Sequence, residues 1–228
     1  MFFSLFTPGK TLKDIELPIA GLLFDNDGVL VDSHSAAVDA WNKWSARYVP
    51  DFDWSDRSNA GIRAEDMVRR HVSEDYYDEA VAYIHQLEQD SAHMTRALPG
   101  AVELLTSLMP GMWTVCTSAN PRLGAARLQA AGLPLPAELV SSEDVERGKP
   151  HPDPYLRGAI NLGLTPGECI VFEDAAAGIQ AGLSAGAFCV IGVTKVALDT
   201  DVEIVVKSLA GLSYRDGVLH IPALSRLR

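Results

Sequence analysis

Short apolar runs alternate with helical patterns along most of the chain. IAGLLF (19–24), MWTVC (112–116), CIVF (169–172) and FCVIGV (188–193) are rich in Val, Ile, Leu and aromatic residues. Runs of this length and composition predict strands buried on both faces of a parallel sheet. PRLGAARLQAAGL (121–133), DPYLRGAINLGL (153–164) and AAAGIQAGLSAG (175–186) carry apolar residues at helical spacing. Each ends near a glycine, as helix C-termini often do. The alternation predicts an α/β fold, a doubly wound, Rossmann-like parallel sheet, whose ligands bind beyond the carboxyl ends of the strands.

One stretch departs from this rhythm. Between about Ser33 and Leu98 no strand-like run occurs, and AAVDAWNKWSARY, AEDMVRRHVS and DYYDEAVAYIHQLEQDSAHM are all helix-compatible. The segment starts soon after the first predicted strand and ends at Leu98-Pro99-Gly100, a turn or hinge signal. It predicts a small helical cap domain (34–96) inserted into a core domain (1–33 plus 97–228), the alternative being helices that form one layer of the core. Asp216-Gly217, between SYR and VLHI, predicts a hairpin turn. Trp41, Trp44, Tyr76 and Tyr77 read as core of the helical segment rather than a stacking platform.

Composition narrows the function classes. The 228 residues are 47% apolar and 21% charged, which excludes a disordered chain. Thirty acidic against nineteen basic residues give a net charge of −11, which argues against nucleic acid or an anionic membrane as partner. A small phosphorylated metabolite, needing only local positive charge, stays admissible. Cys116, Cys169 and Cys189 each lie in an apolar run and read as buried thiols of a reducing compartment. The opening MFFSLF, broken by Pro8 and without a basic start, makes a poor signal peptide. The expectation is a cytoplasmic protein, monomeric or weakly dimeric.

The strongest chemical signal closes the first apolar run: Phe24-Asp25-Asn26-Asp27-Gly28. Carboxylates two residues apart on an extended chain face one small volume, where they repel unless a cation neutralises them or one holds a proton. A hard divalent ion such as Mg²⁺ would do this through oxygen ligands, leaving one carboxylate as nucleophile and the other as general acid and base. The plain alternative is an acidic turn. Three other places read two ways. Thr117-Ser118 after WTVC either grips phosphate oxygens or, with Asn120 as an equal candidate, caps the following helix. Lys149 in RGKPHPDP either neutralises phosphate or is a solvated surface lysine. Glu173-Asp174 after CIVF either cap a helix or hold the cation. Their order along the strand ends, taken together, makes a phosphoryl-transfer site.

With DNDG, TS, GKP and FEDAAAGIQAG in that order, the chain resembles the haloacid dehalogenase superfamily from about Ile19 to Val193, specifically its phosphatases with a helical cap inserted after the first strand. The resemblance implies that Asp25 attacks phosphorus to form an aspartyl-phosphate and that Asp27 protonates the leaving oxygen and then deprotonates water. It implies Mg²⁺ held by the Asp25 side chain, the Asp27 backbone carbonyl and Asp174, with Glu173 a direct or outer-shell ligand. Thr117 and the Ser118 backbone would bind the phosphoryl group, and Lys149 would offset the charge. The insert would close over the site.

The resemblance also covers β-phosphoglucomutases, in which a Thr and then a His after the paired aspartates restrain the acid/base. Those positions here read Ser33 and Ala37, which favours hydrolysis over the mutase reaction. A non-catalytic phosphometabolite-binding protein is the reading from another class. Sugar or polyol phosphates are the expected substrates. Arg63 in Gly61-Ile62-Arg63 either belongs to a stretch that resembles a cap specificity loop or is a solvent-exposed arginine near a helix start, and Asn120 is a second candidate for touching the leaving group. Arg69, Arg70 and His71 read as helix surface.

Overall fold

The computed structural model describes residues 12–52 and 59–228. The N-terminal MFFSLF therefore lies outside the described residues. In chain order the elements are β1 (Ile15–Pro18), β2 (Gly21–Phe24), β3 (Val31–Asp32), α1 (His34–Tyr48), α2 (Ala64–His71), α3 (Glu74–Ser91), β4 (Arg96–Ala97) and α4 (Ala101–Ser107). They continue with β5 (Trp113–Val115), α5 (Pro121–Ala130), α6 (Asp153–Asn161), β6 (Cys169–Glu173), α7 (Ala176–Ser184), β7 (Cys189–Val193), β8 (Ile204–Val206), β9 (Ser213–Arg215) and β10 (Val218–Ile221).

The four apolar runs all become strands of one parallel sheet, joined by β8, in the order β5-β2-β6-β7-β8. Strand side chains alternate between faces. Leu22, Phe24, Ile170 and Phe172 pack on one face against Leu104, Leu105 and Leu128 from α4 and α5. Leu23 and Val171 pack on the other against Tyr155, Ala159 and Ile179 from α6 and α7. Both faces are covered by helices, which is why the strands read as unbroken apolar runs. The Phe24 and Phe172 rings stack with centroids 4.9 Å apart, binding the two strands whose ends carry acidic residues.

Helices α1, α2 and α3 pack around their own buried set, Trp44, Met67, Val68, Ala80 and Ile84. Trp44 is fully buried, and its indole N–H donates to the Ala80 carbonyl at 2.9 Å. Two features differ from the sequence reading. The stem of this helical segment is a ribbon, Val31–Asp32 paired antiparallel with Arg96–Ala97, too short to leave a periodic signal. Tyr76, in the first turn of α3, is 58% exposed instead of joining the core with Trp41 and Trp44.

The expected hairpin turn forms. Asp216 (φ 50°) and Gly217 (φ 80°) are both left-handed and join β9 to β10, which also pairs with β1. The three cysteines are free, with Cys116 and Cys169 buried and Cys189 half-buried. Burial pushes the Cys169 and Cys189 thiols up to about 11, which keeps them unreactive near neutrality. Among the described residues no helix is long and apolar enough to cross a membrane.

Candidate active site

The carboxyl edge of the sheet delivers the acids. The Asp25 N–H donates to the Phe172 carbonyl and the Cys116 N–H to the Phe24 carbonyl, so the exit of β2 is fixed between its neighbours. Asp25 follows β2, while Glu173 and Asp174 end and follow β6; all three are buried. Lys149 enters from the loop before α6. Its Nζ lies 2.6 Å from Asp25 Oδ1 and 2.6 Å from Glu173 Oε1, and its side chain has no exposure, so it is not a surface lysine. Burial works against the ammonium, yet the two carboxylates outweigh it and raise its pKa. Burial also raises the Asp25 pKa well above the usual carboxylate value; Lys149 opposes this, and Glu173, Asp174 and Asp27 add to it.

Glu173 is held from every side. Its Oε1 accepts from Lys149 and, at 2.9 Å, from the Tyr155 hydroxyl. Its Oε2 accepts from the backbone N–H groups of Asp174 (2.9 Å) and Ala175 (3.0 Å), at the entrance to α7. Both oxygens are thus filled by protein donors, which suits a group that orients its neighbours better than one that binds a cation directly. The carboxylate sits where a Cβ on Gly178 would be, 1.6 Å from Oε1. Gly178→Ala is therefore expected to displace Glu173 and to cost about 2 kcal/mol, a fall in Tm of roughly 4–8 °C in a thermal melt. An unchanged Tm would show that Glu173 moves aside freely.

Asp25, Glu173 and Asp174 each offer a carboxylate oxygen within 4.8 Å of the others. Three buried carboxylates against the one ammonium of Lys149 leave two negative charges, the deficit a hard divalent cation with oxygen ligands would cancel. Gly28 helps to build the cradle. Its φ is +91°, and a Cβ there would lie 2.2 Å from Asp174 Oδ2, so the Asp25–Asp27 loop and Asp174 approach as closely as they do only over glycine. The donor set fits a divalent ion.

Asp27 has two partners on one oxygen: the Ser33 hydroxyl donates to Oδ1 at 2.5 Å, and Arg127 Nη1 lies 3.1 Å from it. The other arm of the guanidinium, Nη2, reaches Glu88 Oε1 at 3.3 Å.

Above these acids is a cavity of about 650 Å³ between the strand ends and the three N-terminal helices. Asp25, Asp27 and Asp174 line it below, Ser118 and Asn120 at one side, and Trp41, Met67, His85 and Glu88 above. His85 is 3.2 Å from Glu65, whose hydrogen bond raises its pKa against the pull of burial. Thr117, Lys149 and Glu173 lie behind the lining and reach it through their neighbours. Asn120 lines the cavity, and its Oδ1 accepts from the Leu123 N–H at 2.9 Å to cap α5, as one of its two readings expects.

Arg63 departs from its expected place. Its guanidinium forks onto Asp66 (2.8 and 3.1 Å) and donates to the carbonyls of Ser142 and Val145, outside the cavity lining. The Asp66 carboxylate one turn into α2 captures it, so it ties the helical segment to a loop of the sheet domain. The Ser118 hydroxyl makes a second tie, donating to the Gly61 carbonyl at 2.7 Å.

A profile of haloacid dehalogenase-like hydrolases matches residues 19–186. Hexitol phosphatase A of Escherichia coli is 39% identical over 198 residues, covering 83% of this chain and 91% of its own. Glycerol-1-phosphate phosphohydrolase 2 of Saccharomyces cerevisiae is 32% identical over 194 residues, covering 78% of this chain and 76% of its own. A crystal structure of β-phosphoglucomutase from Clostridium difficile superposes with a TM-score of 0.74 at 24% identity, over 84% of this chain and 92% of that one.

Proposed function

The chain belongs to the haloacid dehalogenase-like hydrolases and is a phosphoric monoester hydrolase; on that footing we propose that it is a Mg²⁺-dependent phosphatase of sugar or polyol phosphates acting through an aspartyl-phosphate. The observation that carries this reading is the convergence of Asp25, Lys149, Glu173 and Asp174 under a cavity that also holds Asp27. An Asp25 carboxylate oxygen attacks phosphorus, and the bond from phosphorus to the ester oxygen breaks. Asp27 gives its proton to that oxygen, and the alcohol leaves. Asp27, now a carboxylate, takes a proton from water as the water attacks the aspartyl-phosphate; inorganic phosphate departs and Asp25 is restored. Mg²⁺ would be held by the Asp25 side chain, the Asp27 backbone carbonyl and Asp174, with Glu173 behind them, and would supply charge stabilisation to the transferring phosphoryl group.

Lys149 favours the ionised form of the nucleophile and aims it, and the Ser118 backbone at the cavity lining binds phosphoryl oxygens with Thr117 directly behind it. The helical segment 34–96 acts as a cap that excludes bulk water from the intermediate. The cavity suits a small metabolite, and His85, Asn59 and Asn120 along it are polar groups able to meet hydroxyls. Relatives named for hexitol and glycerol phosphates support a polyol phosphate as substrate.

Phosphate release in the presence of Mg²⁺, measured across hexitol phosphates, sugar phosphates and glycerol 1-phosphate, tests the proposal. No release from any of them would sink it in favour of a binding protein. A second measurement separates hydrolysis from the mutase reaction. β-Glucose 1-phosphate with a trace of its bisphosphate is expected to give free phosphate and little glucose 6-phosphate, because Ala37 stands in the cavity lining where the mutases carry a histidine.

A further inference from the structure

Arg127 is an arginine inside the protein. It lies on α5 with its side chain 6% exposed, and its two terminal nitrogens go to acids from different parts of the chain. Asp27 belongs to the loop after β2, whereas Glu88 stands on α3 in the helical segment and is itself buried. A guanidinium is a rigid planar fork, so fixing one arm aims the other. A charge buried this deeply persists only when paired, and Arg127 is paired on both arms. Ser33 and Arg127 both address Oδ1 of Asp27, and neither contact involves Oδ2.

We propose that Arg127 is a positioning residue that aims Asp27 for protonating the leaving group, and that Glu88, by gripping the other arm of its guanidinium, makes that aim depend on the docking of α3. Closing the helical segment and orienting the acid are then one event. The inference rests on the proposed role of Asp27 and assigns that role a control.

The test uses esters that differ in their need for a proton. p-Nitrophenolate leaves without one, whereas the alkoxide of glycerol 1-phosphate, or of the alkyl phosphate the wild type cleaves fastest, does not. The quantity compared is kcat/KM, which reports only steps through formation of the aspartyl-phosphate. Arg127→Met is expected to lower kcat/KM about 30-fold or more for the alkyl phosphate but less than about 3-fold for p-nitrophenyl phosphate. Arg127→Lys should recover part of the alkyl phosphate rate, and Glu88→Gln should show the same selectivity at about 5-fold.

Arg127→Met leaves Glu88 buried without its cation. Should that variant not fold, Arg127→Met/Glu88→Gln, which removes both charges, carries the same comparison. Equal losses on the two esters, or no loss on either, would overturn the inference and leave Arg127 a structural ion pair. A wild type that releases phosphate from neither ester would instead remove the reading of Asp25 and Asp27 as catalytic, and this inference with it.

Discussion

Asp25→Asn is expected to lower phosphate release by at least about 10³-fold while leaving the fold intact, because an amide cannot attack phosphorus and the nearby carboxylates of Asp27 and Glu173 are held by other partners. Asp27 is turned by Ser33 and Arg127, and Glu173 has both oxygens filled by protein donors. The substitution is close in shape, and Lys149 keeps its contact with Glu173. Its effect on stability has a definite sign. The folded pKa of Asp25 is raised by burial and by Glu173, Asp174 and Asp27, even after the attraction of Lys149. A carboxyl whose folded pKa exceeds its unfolded value favours folding at low pH, and that contribution is lost as pH rises through the folded pKa. At neutral pH, above the unfolded pKa, the buried carboxyl therefore weakens the cation-free fold, and the neutral amide removes that penalty. Without divalent cation the variant should melt no lower than wild type. A wild-type rate of phosphate release from Asp25→Asn would show that the nucleophile lies elsewhere.

What was legible in the sequence follows from what each residue does locally. Asp25, Asp27, Glu173 and Asp174 each follow a short apolar run, and a strand buried on both faces can deliver side chains to solvent only at its end. Position along the chain therefore located them at the carboxyl edge of the sheet. Lys149 was legible as a residue but not as a buried one, since RGKPHPDP is as polar as any surface loop and the carboxylates that bury its ammonium come from 124 and 24 residues away. Arg127 and Glu88 gave no signal at all. Each sits in a helical pattern where a charge normally marks the solvent face, and both are buried only because α3 and α5 meet. Arg63 shows the converse. Beside a glycine at a helix start it reads as a specificity residue, but Asp66, three residues on, claims both sides of its guanidinium. Contacts spaced by helix periodicity can be checked from sequence; contacts between separate segments cannot.

Lys149→Met is the second large expected effect, and it separates a phosphate-binding lysine from one that tunes the nucleophile. Lys149 lies behind the cavity lining with both of its short contacts to Asp25 and Glu173, so its first effect is on those carboxylates. Removing the ammonium leaves Asp25, Glu173 and Asp174 clustered with no buried cation among them. Breaking a buried pair in this way costs about 3–5 kcal/mol, so Tm should fall by roughly 6–20 °C. Divalent cation should recover part of that loss, because it supplies the missing positive charge. Activity should fall at least about 100-fold, since the pKa of Asp25 rises further once Lys149 no longer opposes burial and a protonated carboxyl is a poor nucleophile. Because that defect lies in ionisation, the residual kcat/KM of the variant should climb with rising pH more steeply than that of the wild type. A lysine that only bound the phosphate of the substrate would instead raise KM and leave the pH dependence and the melting temperature near those of the wild type. Melts with and without Mg²⁺, together with a pH series of kcat/KM, decide between the two roles.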